Sequence, residues 1–558
     1  MENDYCVFSS WQELPDFYFQ GYCFVGADFV FGPGGAKKFL SAGGVLGSGE
    51  DGCYLLFRRH ADQITIGSDF SGHMRLFYFS DGENWAVSNS LIQLAEHLKA
   101  NGIRLHIQRH HLAAWFTRNV NFKQLLCEET VLKEIRFLPS DMEIVISGKR
   151  LELRPRRLPL IDTYDTALQS YLTLWRDRTA TVLQSGVAAV STDVSGGLDT
   201  RAVVGFLKVA GEEAVQAHDP KIRYVTTSGP NFERDEEVAN LVADSLEWQL
   251  EPQNRFSKPY LRSPQQLLDL WRNRSLGQYA TIRFSDALLD PRKIVCGGEA
   301  GEGLRGIYDQ ADIDSYLDFQ KGFYGSYMYG DKARWAQDVK TSIRALEDRT
   351  AYYQQPLLGY FRQYRSRCHG GMRPRNNVAI LPLTGQAAYQ CTAALSNAAV
   401  RSGQVLYDTM YNLHPELIDI PFDDEKKAAT AENRANLTKV ALRPSVGGRF
   451  FVSETDIPAE PEGSGSRHKE VYRHFVDYLQ DTVANIPKNT VPQGYISAVI
   501  DRLHARGEGD LTVMPNDTIP AHNLALFGDL IKLAEWPESS GLTNLKELVG
   551  YWKRCRKT

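Results

Sequence analysis

A glycine-rich turn, SGGLDT at residues 195–200, carries the residue types best suited to chemistry in this chain. The apolar run Val187–Val194 before it predicts a strand, and the spacing of the apolar residues after it predicts a helix. A short turn of this kind aims backbone N–H groups and the positive end of the helix dipole at one point. The sequence therefore predicts an anion-binding site here.

Each residue of this turn suits a phosphate group. Gly196 and Gly197 let the backbone pass close to a phosphate without a clash at Cβ, and Ser195 and Thr200 offer hydroxyl donors. The carboxylate of Asp199 would repel a phosphate unless a cation lay between them, so we expect Asp199 to bind Mg²⁺. On these six residues alone, an ordinary glycine-rich turn between a strand and a helix remains the alternative.

A second glycine-rich turn follows another predicted strand. The strand Ile294–Cys296 runs into GGEAGEGLRG at residues 297–306. Because ligands bind beyond the carboxyl ends of parallel strands, two such turns would bring Asp199, Glu299 and Glu302 together. Acidic groups beside a phosphate site suit Mg²⁺ ligands and a general base. The alternative is that both glutamates lie on a solvated surface loop.

The elements that must position these turns divide the chain into two predicted domains. Short strand patterns with few helices over residues 1–158 predict an α+β domain built on sheets. Strand patterns alternating with helix patterns over residues 159–558 predict an α/β domain with a parallel sheet. The best linker candidate is Arg154–Pro159, because it is rich in proline and arginine.

Bulk composition excludes several classes of protein. The 558 residues carry a net charge of −5, which gives no electrostatic reason to expect a nucleic-acid partner or an anionic membrane. No apolar run is long enough for a membrane span, and the first residues do not resemble a signal peptide. Eight cysteines without CxxC pairs favour a reduced, cytoplasmic location.

With both turns in view, the chain resembles the asparagine synthetase superfamily, whose members include β-lactam synthetases and lasso-peptide cyclases. The first turn is similar to the family's SGGxDS pyrophosphate-binding loop, and residues 298–303 are similar to its GEGADE segment. The resemblance implies a glutaminase-like sheet sandwich of the Ntn type over residues 1–158. It implies a synthetase domain of the ATP-pyrophosphatase type, an adenine-nucleotide hydrolase-like α/β fold, over residues 159–558.

The same resemblance implies a ligase that depends on ATP and Mg²⁺ and forms amide bonds. Such an enzyme adenylates a substrate carboxylate, releases pyrophosphate and joins the acyl group to an amine. The first turn would bind ATP, Asp199 and Glu302 would bind Mg²⁺, and Glu299 would manage protons. Lys426, or its neighbour Lys427, would neutralise charge on the pyrophosphate.

One departure from the family concerns the source of the amine. A glutamine-using member carries Cys directly after the initiator Met, but Glu2 stands here and the first thiol is Cys6. We therefore expect the carboxylate and the amine to come from a small-molecule or peptide substrate, as in lasso-peptide cyclases and β-lactam synthetases. Ammonia-dependent amidation of a sugar acid or metabolite, a catalytically inactive nucleotide-binding scaffold and a partner protein from a biosynthetic cluster stay open.

Three further features are interpreted without a catalytic role. Arg201 lies in the first helical turn, where a cation opposes the helix dipole. It therefore faces either an anion that compensates this cost or solvent, where the cost is tolerated. The run Gly32–Gly35 favours a hairpin turn. His106, His110 and His111 favour a surface cluster over a zinc site, because adjacent helix residues point apart and no fourth ligand is evident.

Overall fold

The protein is described from a computed structural model of the chain. The described residues are 5–117, 120–156, 161, 163–215, 221–227, 232–253, 262–285, 289–310, 312–324, 331–349, 355–459, 468–488, 490–505 and 515–536.

Sixteen strands in the described residues form three sheets. They are β1 Val7–Ser9, β2 Phe17–Val25, β3 Asp28–Phe31, β4 Asp51–His60, β5 Gln63–Ser68, β6 Phe77–Ser80, β7 Trp85–Ser88, β8 Arg136–Phe137, β9 Met142–Ser147, β10 Arg150–Pro155, β11 Ala189–Asp193, β12 Ile222–Thr227, β13 Leu250–Gln253, β14 Lys293–Cys296, β15 Val378–Ile380 and β16 Phe450–Phe451.

Eighteen α-helices in the described residues cover and connect these sheets. They are α1 Gly32–Ser41, α2 Leu91–Ala100, α3 Arg109–Trp115, α4 Tyr164–Leu183, α5 Leu198–Val215, α6 Glu233–Leu246, α7 Pro264–Ser275, α8 Ile313–Lys321, α9 Lys332–Arg349, α10 Pro356–Tyr360, α11 Met372–Asn376, α12 Gln386–Ala393, α13 Asn397–Arg401, α14 Gln404–Leu413, α15 Ala431–Ala435, α16 His468–Val483, α17 Gln493–Ala505 and α18 Pro515–Leu533. None of them combines the length and apolarity that a membrane crossing needs.

The first ten strands and β16 build two largely antiparallel sheets. One has the order β1-β7-β6-β8, and the other has the order β10-β9-β5-β4-β2-β3-β16. Apolar residues of the two sheets pack together in one buried cluster, in which the rings of Phe8 of β1 and Phe57 of β4 lie 4.6 Å apart.

The parallel sheet predicted from the alternating strand and helix patterns is present. Its order is β13-β12-β11-β14-β15, and all four neighbouring pairs are parallel. From β11 the chain winds outward through β12 and β13, and it then returns to the other side of β11 to form β14 and β15. The direction of winding therefore switches between β11 and β14, which is where α/β sheets bind ligands. The chain is thus a mixed α/β protein with a parallel sheet.

The two parts of the chain share apolar core. One buried cluster joins strand residues of the first sheets, including Tyr22 and Phe24, to Trp175 of α4 and Val378 of β15. A buried ion pair adds to this contact, because Nη1 of Arg178 lies 2.5 Å from Oδ2 of Asp51. The division into domains at residues 158 and 159 stays a prediction, and residues 157–159 of the candidate linker lie outside the described residues.

The hairpin turn predicted at Gly32–Gly35 is wrong. These residues begin helix α1, whose first turn accommodates Pro33 because that position needs no backbone donor. The N–H groups of Gly34 and Gly35, in the first turn of the helix, donate to the carboxylate of Asp456, at 3.1 and 2.8 Å. A distant aspartate thus caps the helix, and a local pattern carries no sign of it.

The Arg178–Asp51 pair should contribute strongly to stability. Both side chains are at most 6% exposed, so Arg178→Met would leave a buried carboxylate without its cation. We expect the free energy of unfolding to fall by about 3–5 kcal/mol in urea denaturation. Arg150→Met is the matched control: Arg150 pairs with Glu152 at the surface, and its loss should cost at most about 1 kcal/mol. Equal losses in the two variants would contradict this account.

Candidate functional site

Both glycine-rich turns leave the carboxyl ends of adjacent strands. Thr192 of β11 pairs with Cys296 of β14, so the turn at 195–200 and the turn at 297–306 begin side by side. Helix α5 starts within the first turn at Leu198, and a 3₁₀ turn, Gly301–Leu304, forms within the second. The predicted convergence of the two turns is therefore present in the fold.

The turns touch each other through glycines that have no room for a side chain. A β-carbon placed on Gly298 would lie 2.8 Å from the carbonyl carbon of Asp199. One placed on Gly301 would lie 2.4 Å from Cγ of the same aspartate. Because real β-carbons do not approach other atoms this closely, a side chain at either position would force Asp199 or the turn to move. The second turn is shaped around Asp199.

The carboxylate of Asp199 lies in a charged but largely dry environment. Its Oδ2 accepts a hydrogen bond from Nη2 of Arg305 at 3.2 Å, while its buried Oδ1 has no partner among the described residues. Burial raises the pKa of Asp199 to about 6; Arg305 and Lys427 oppose the shift, and the negative charge of Glu302 adds to it. A buried oxygen without a partner beside a second carboxylate is a donor set that fits Mg²⁺.

The first turn offers two hydroxyl groups and has two amides already engaged. Oγ of Ser195 donates to Oγ1 of Thr200 at 3.1 Å and accepts from the N–H of Gly197 at 3.3 Å. The N–H of Gly196 donates to Oδ1 of Asp235, at the start of α6, at 2.7 Å. The turn thus binds an internal carboxylate at one of its predicted anion-binding groups.

Glu299 belongs to an ion-pair network at the same end of the sheet. Its Oε1 pairs with Nε of Arg373, and Nη2 of Arg373 lies 2.5 Å from Oδ2 of Asp193, the last residue of β11. Proton transfer to Glu299 would have to work against this guanidinium. Sequence reasoning does not single out Arg373 or Asp193. The position of Asp193 at the strand end before the first turn is a usable signal, whereas Arg373 has none.

Of the two candidate lysines, Lys427 lies nearer to the site. Its Nζ is 2.7 Å from Oδ2 of Asp423, and a β-carbon on Gly196 would lie 2.7 Å from Cβ of that aspartate. The positive charge of Lys427 also acts on Asp199, while Lys426 is exposed. The backbone N–H of Lys426 caps its own turn by donating to Asp424 at 3.0 Å.

Arg201 faces neither solvent nor an open anion site. Its guanidinium is fully buried and donates to the backbone carbonyls of Leu417, at 3.1 Å, Ile420, at 2.6 Å, and Pro421. It also lies 3.7 Å from the ring centre of Phe422. Both alternatives from the sequence are therefore wrong. Arg201 holds in place the loop that leads to Lys427.

A second buried arginine supports the other turn. Arg362 donates to the carbonyl of Gly303 from Nε at 3.0 Å and from Nη2 at 2.7 Å. Its guanidinium also lies 3.6 Å from the ring centre of Tyr389. Each turn thus depends on a buried arginine bound to backbone carbonyls, and neither arginine could be assigned this role from local sequence.

A cavity of about 680 Å³ adjoins the site through Arg305. Three arginines line it (Arg305, Arg344 and Arg401), together with three aspartates (Asp309, Asp312 and Asp314) and the apolar residues Ile307, Leu357 and Leu358. This volume and the mixture of charges suit a polar organic molecule.

The first thiol of the chain is not activated. Burial raises the pKa of Cys6 to about 12, so the thiolate that a nucleophile requires is disfavoured. The backbone N–H of Cys6 donates to Oδ1 of Asn89 at 3.1 Å, which holds this residue in position.

Comparison with known proteins gives little further information. No protein-family model matches the chain, and no curated protein matches it. Solved structures that match include the allosteric regulatory enzyme of purine biosynthesis, with 10% identity and a TM-score of 0.13 over 52% of this chain and 48% of that chain. Another is the glutamine phosphoribosylpyrophosphate (PRPP) amidotransferase from B. subtilis complexed with ADP and GMP, with 9% identity and a TM-score of 0.14 over 53% of this chain and 58% of that chain.

The chain thus spans about half the length of the two solved structures. TM-scores this low do not establish a shared fold.

Asp199 should reduce stability at neutral pH. Its pKa rises from 3.8 to about 6 on folding, so the folded state loses stability as pH increases through this interval. Asp199→Asn removes the effect. It should raise the free energy of unfolding by about 1–3 kcal/mol at pH 8 and leave it nearly unchanged at pH 3.5.

Urea denaturation across this pH range measures the difference. Asp318→Asn is the control, because the Asp318 side chain is 75% exposed. A destabilised Asp199→Asn variant at pH 8 would contradict the assigned environment.

Proposed function

We propose that the protein is an ATP- and Mg²⁺-dependent ligase that forms amide bonds. The observation that carries this proposal is the meeting of two glycine-rich turns around Asp199 at the switch point of a parallel sheet, with Glu302 beside it. Two carboxylates next to a turn of the phosphate-binding type can bind a magnesium–nucleotide complex. The close packing of the second turn against Asp199 disfavours the alternative that this turn is a solvated surface loop.

The residues of the first turn would bind the pyrophosphate part of ATP. Ser195 and Thr200 supply hydroxyl donors, and the space beside Gly197 is open, since a β-carbon there would meet only Oγ of Ser195, at 3.4 Å. The N–H of Gly196 becomes available only if Asp235 moves away. Asp199 and Glu302 would hold Mg²⁺, which would neutralise charge on the departing pyrophosphate.

Two cations are placed to assist the same step. Arg305 neutralises Asp199 when no metal is bound, and it also lines the adjacent cavity. When a metal takes over Asp199, Arg305 would be free to pair with a substrate carboxylate or a phosphate. Lys427, instead of Lys426, would stabilise negative charge near the first turn, since its charge already acts on Asp199.

The cavity beside Arg305 suits the substrate. Its arginines would bind a carboxylate, and its aspartates would bind an amine. The carboxylate oxygen would attack the α-phosphorus of ATP, and pyrophosphate would leave. The amine would then attack the acyl carbon, AMP would leave, and Glu299 would accept the amine proton. Arg373 would hold Glu299 in position before this transfer.

The amine would not come from glutamine. The environment of Cys6 disfavours a nucleophilic thiol, so the first two sheets would serve as a glutaminase-like domain without glutaminase chemistry. We infer that both reacting groups belong to a small-molecule or peptide substrate. Under this proposal residues 1–158 and 159–558 form the two domains that the resemblance implies.

Binding of a nucleotide analogue tests the proposal without knowledge of the substrate. Calorimetry with α,β-methylene-ATP should show binding that requires Mg²⁺. Asp199→Asn should weaken the Kd by at least about 100-fold, because a metal ligand matters at least as much as the groups that orient one. Glu302→Gln should act in the same direction, and Asp318→Asn should bind like the wild type.

The expected stability of Asp199→Asn makes the result easy to interpret, since lost binding cannot then be attributed to unfolding. Unchanged binding in this variant, or binding that does not need Mg²⁺, would contradict the proposal. If binding behaves as expected, mass spectrometry of candidate substrates incubated with the protein and ATP would identify the product, which has lost one water.

A further inference from the structure

A cluster of two histidines and one aspartate lies apart from the candidate functional site. Nε2 of His110 and Nε2 of His111 each lie 3.0 Å from Oδ2 of Asp338. One ligand atom from each residue lies within 4.8 Å of the others. Within the part of the chain that the structure describes, these three side chains are close enough to one another to hold one metal ion.

This cluster is not the surface feature that the sequence suggests. His110 and His111 are only 7% and 5% exposed, although His106 is half-exposed and pairs elsewhere, with Glu134. Adjacent helix residues normally point about 100° apart. Here their rings converge, with centres 4.3 Å apart, because Asp338 on α9 lies between them.

Surrounding contacts hold the cluster in place. The hydroxyl of Tyr324 donates to the carbonyl of His110 at 2.6 Å, and the rings of Phe122 and Trp335 pack 5.1 Å apart beside it. Sγ of Cys127 lies 3.7 Å from Nδ1 of His111. The second ring nitrogen of a metal-binding histidine usually donates a hydrogen bond that fixes the ring orientation, and the sulfur of Cys127 is a weak acceptor for such a bond.

We propose that His110, His111 and Asp338 form a binding site for a divalent transition metal, with zinc as the best match. Neutral imidazoles and a carboxylate are common zinc ligands. In a tetrahedral site with zinc–ligand bonds of about 2.0–2.1 Å, ligand atoms lie about 3.3 Å apart. The two N–O distances of 3.0 Å are close to this value, and all three ligand atoms lie within 4.8 Å of one another, so a local adjustment of the side chains would admit the ion.

Binding requires a change of tautomer in both rings. Without metal, each Nε2–H donates to Asp338, which satisfies the carboxylate. With metal, each Nε2 lone pair turns to the ion and each proton moves to Nδ1, so both imidazoles stay neutral. In His111 this proton would then point towards Sγ of Cys127.

The metal would cross-link two distant segments of the chain. Helix α3 belongs to residues 1–158, and α9 lies beyond residue 330. Three protein ligands leave a fourth position open to water, and the Asp338 side chain is 24% exposed. The site would stabilise the contact between α3 and α9 and is independent of the proposed ATP chemistry.

Zinc and cobalt ions test the site on the full chain. Competition with a chromophoric chelator should show one equivalent of Zn²⁺ bound to the wild type. Asp338→Ala and His110→Gln should each weaken the Kd by at least about 100-fold. His106→Ala is the matched control, because His106 pairs with Glu134 and Glu535 and not with Asp338, and it should bind zinc like the wild type.

Co²⁺ gives a second readout that does not depend on how well the variants fold. The wild type with Co²⁺ should show the intense visible absorption of four-coordinate cobalt with nitrogen ligands, and zinc should raise its Tm. Absence of stoichiometric zinc binding to the wild type would overturn the proposal. Full retention of binding in both Asp338→Ala and His110→Gln would do so as well.

Discussion

The candidate site depends on one steric constraint: Asp199 occupies the space that side chains at positions 298 and 301 would need. Glycine at both positions lets the second turn close onto the start of α5. The two strand ends can then share one small volume at the switch point of the sheet. A carboxylate held this tightly is partly desolvated, and its raised pKa follows directly from that burial.

Two buried arginines hold the backbone segments around Asp199 in place. Arg201 binds the carbonyls of the loop before Lys427, and Arg362 binds the carbonyl of Gly303 in the second turn. A guanidinium in the interior has five donors to satisfy, and backbone carbonyls of irregular loops need donors of their own. Irregular segments near the site are therefore held by side chains instead of regular secondary structure. The charged groups of the site are then already in position, so ligand binding does not have to order these loops.

Much of this could be predicted from the sequence where local pattern determines the structure. The strands β11, β12 and β14 follow from apolar runs, and the position of the glycine turns after them follows from order along the chain. The partners that come from far away could not be predicted. Nothing near Asp338 indicates that it draws two histidines together, and nothing near Gly32–Gly35 reveals the capping carboxylate of Asp456.

The remaining differences between the site expected from the sequence and the site in the structure concern charged residues. A charged residue on a helix is most simply interpreted as solvent-exposed, yet Arg201 is buried because loop carbonyls and an aromatic ring replace water around it. The choice between Lys426 and Lys427 also depends on tertiary structure, since adjacent side chains differ only in the direction they face. Sequence thus identifies which groups are available, and the fold decides which of them meet.

The most direct test of the account is the position of a bound metal. Crystals grown with Mn²⁺ and α,β-methylene-ATP would give an anomalous signal from the ion. The account predicts one manganese site within about 2.1 Å of carboxylate oxygens of Asp199 and Glu302, with the nucleotide phosphates against the first turn. Nucleotide bound elsewhere, or manganese that contacts neither carboxylate, would contradict it.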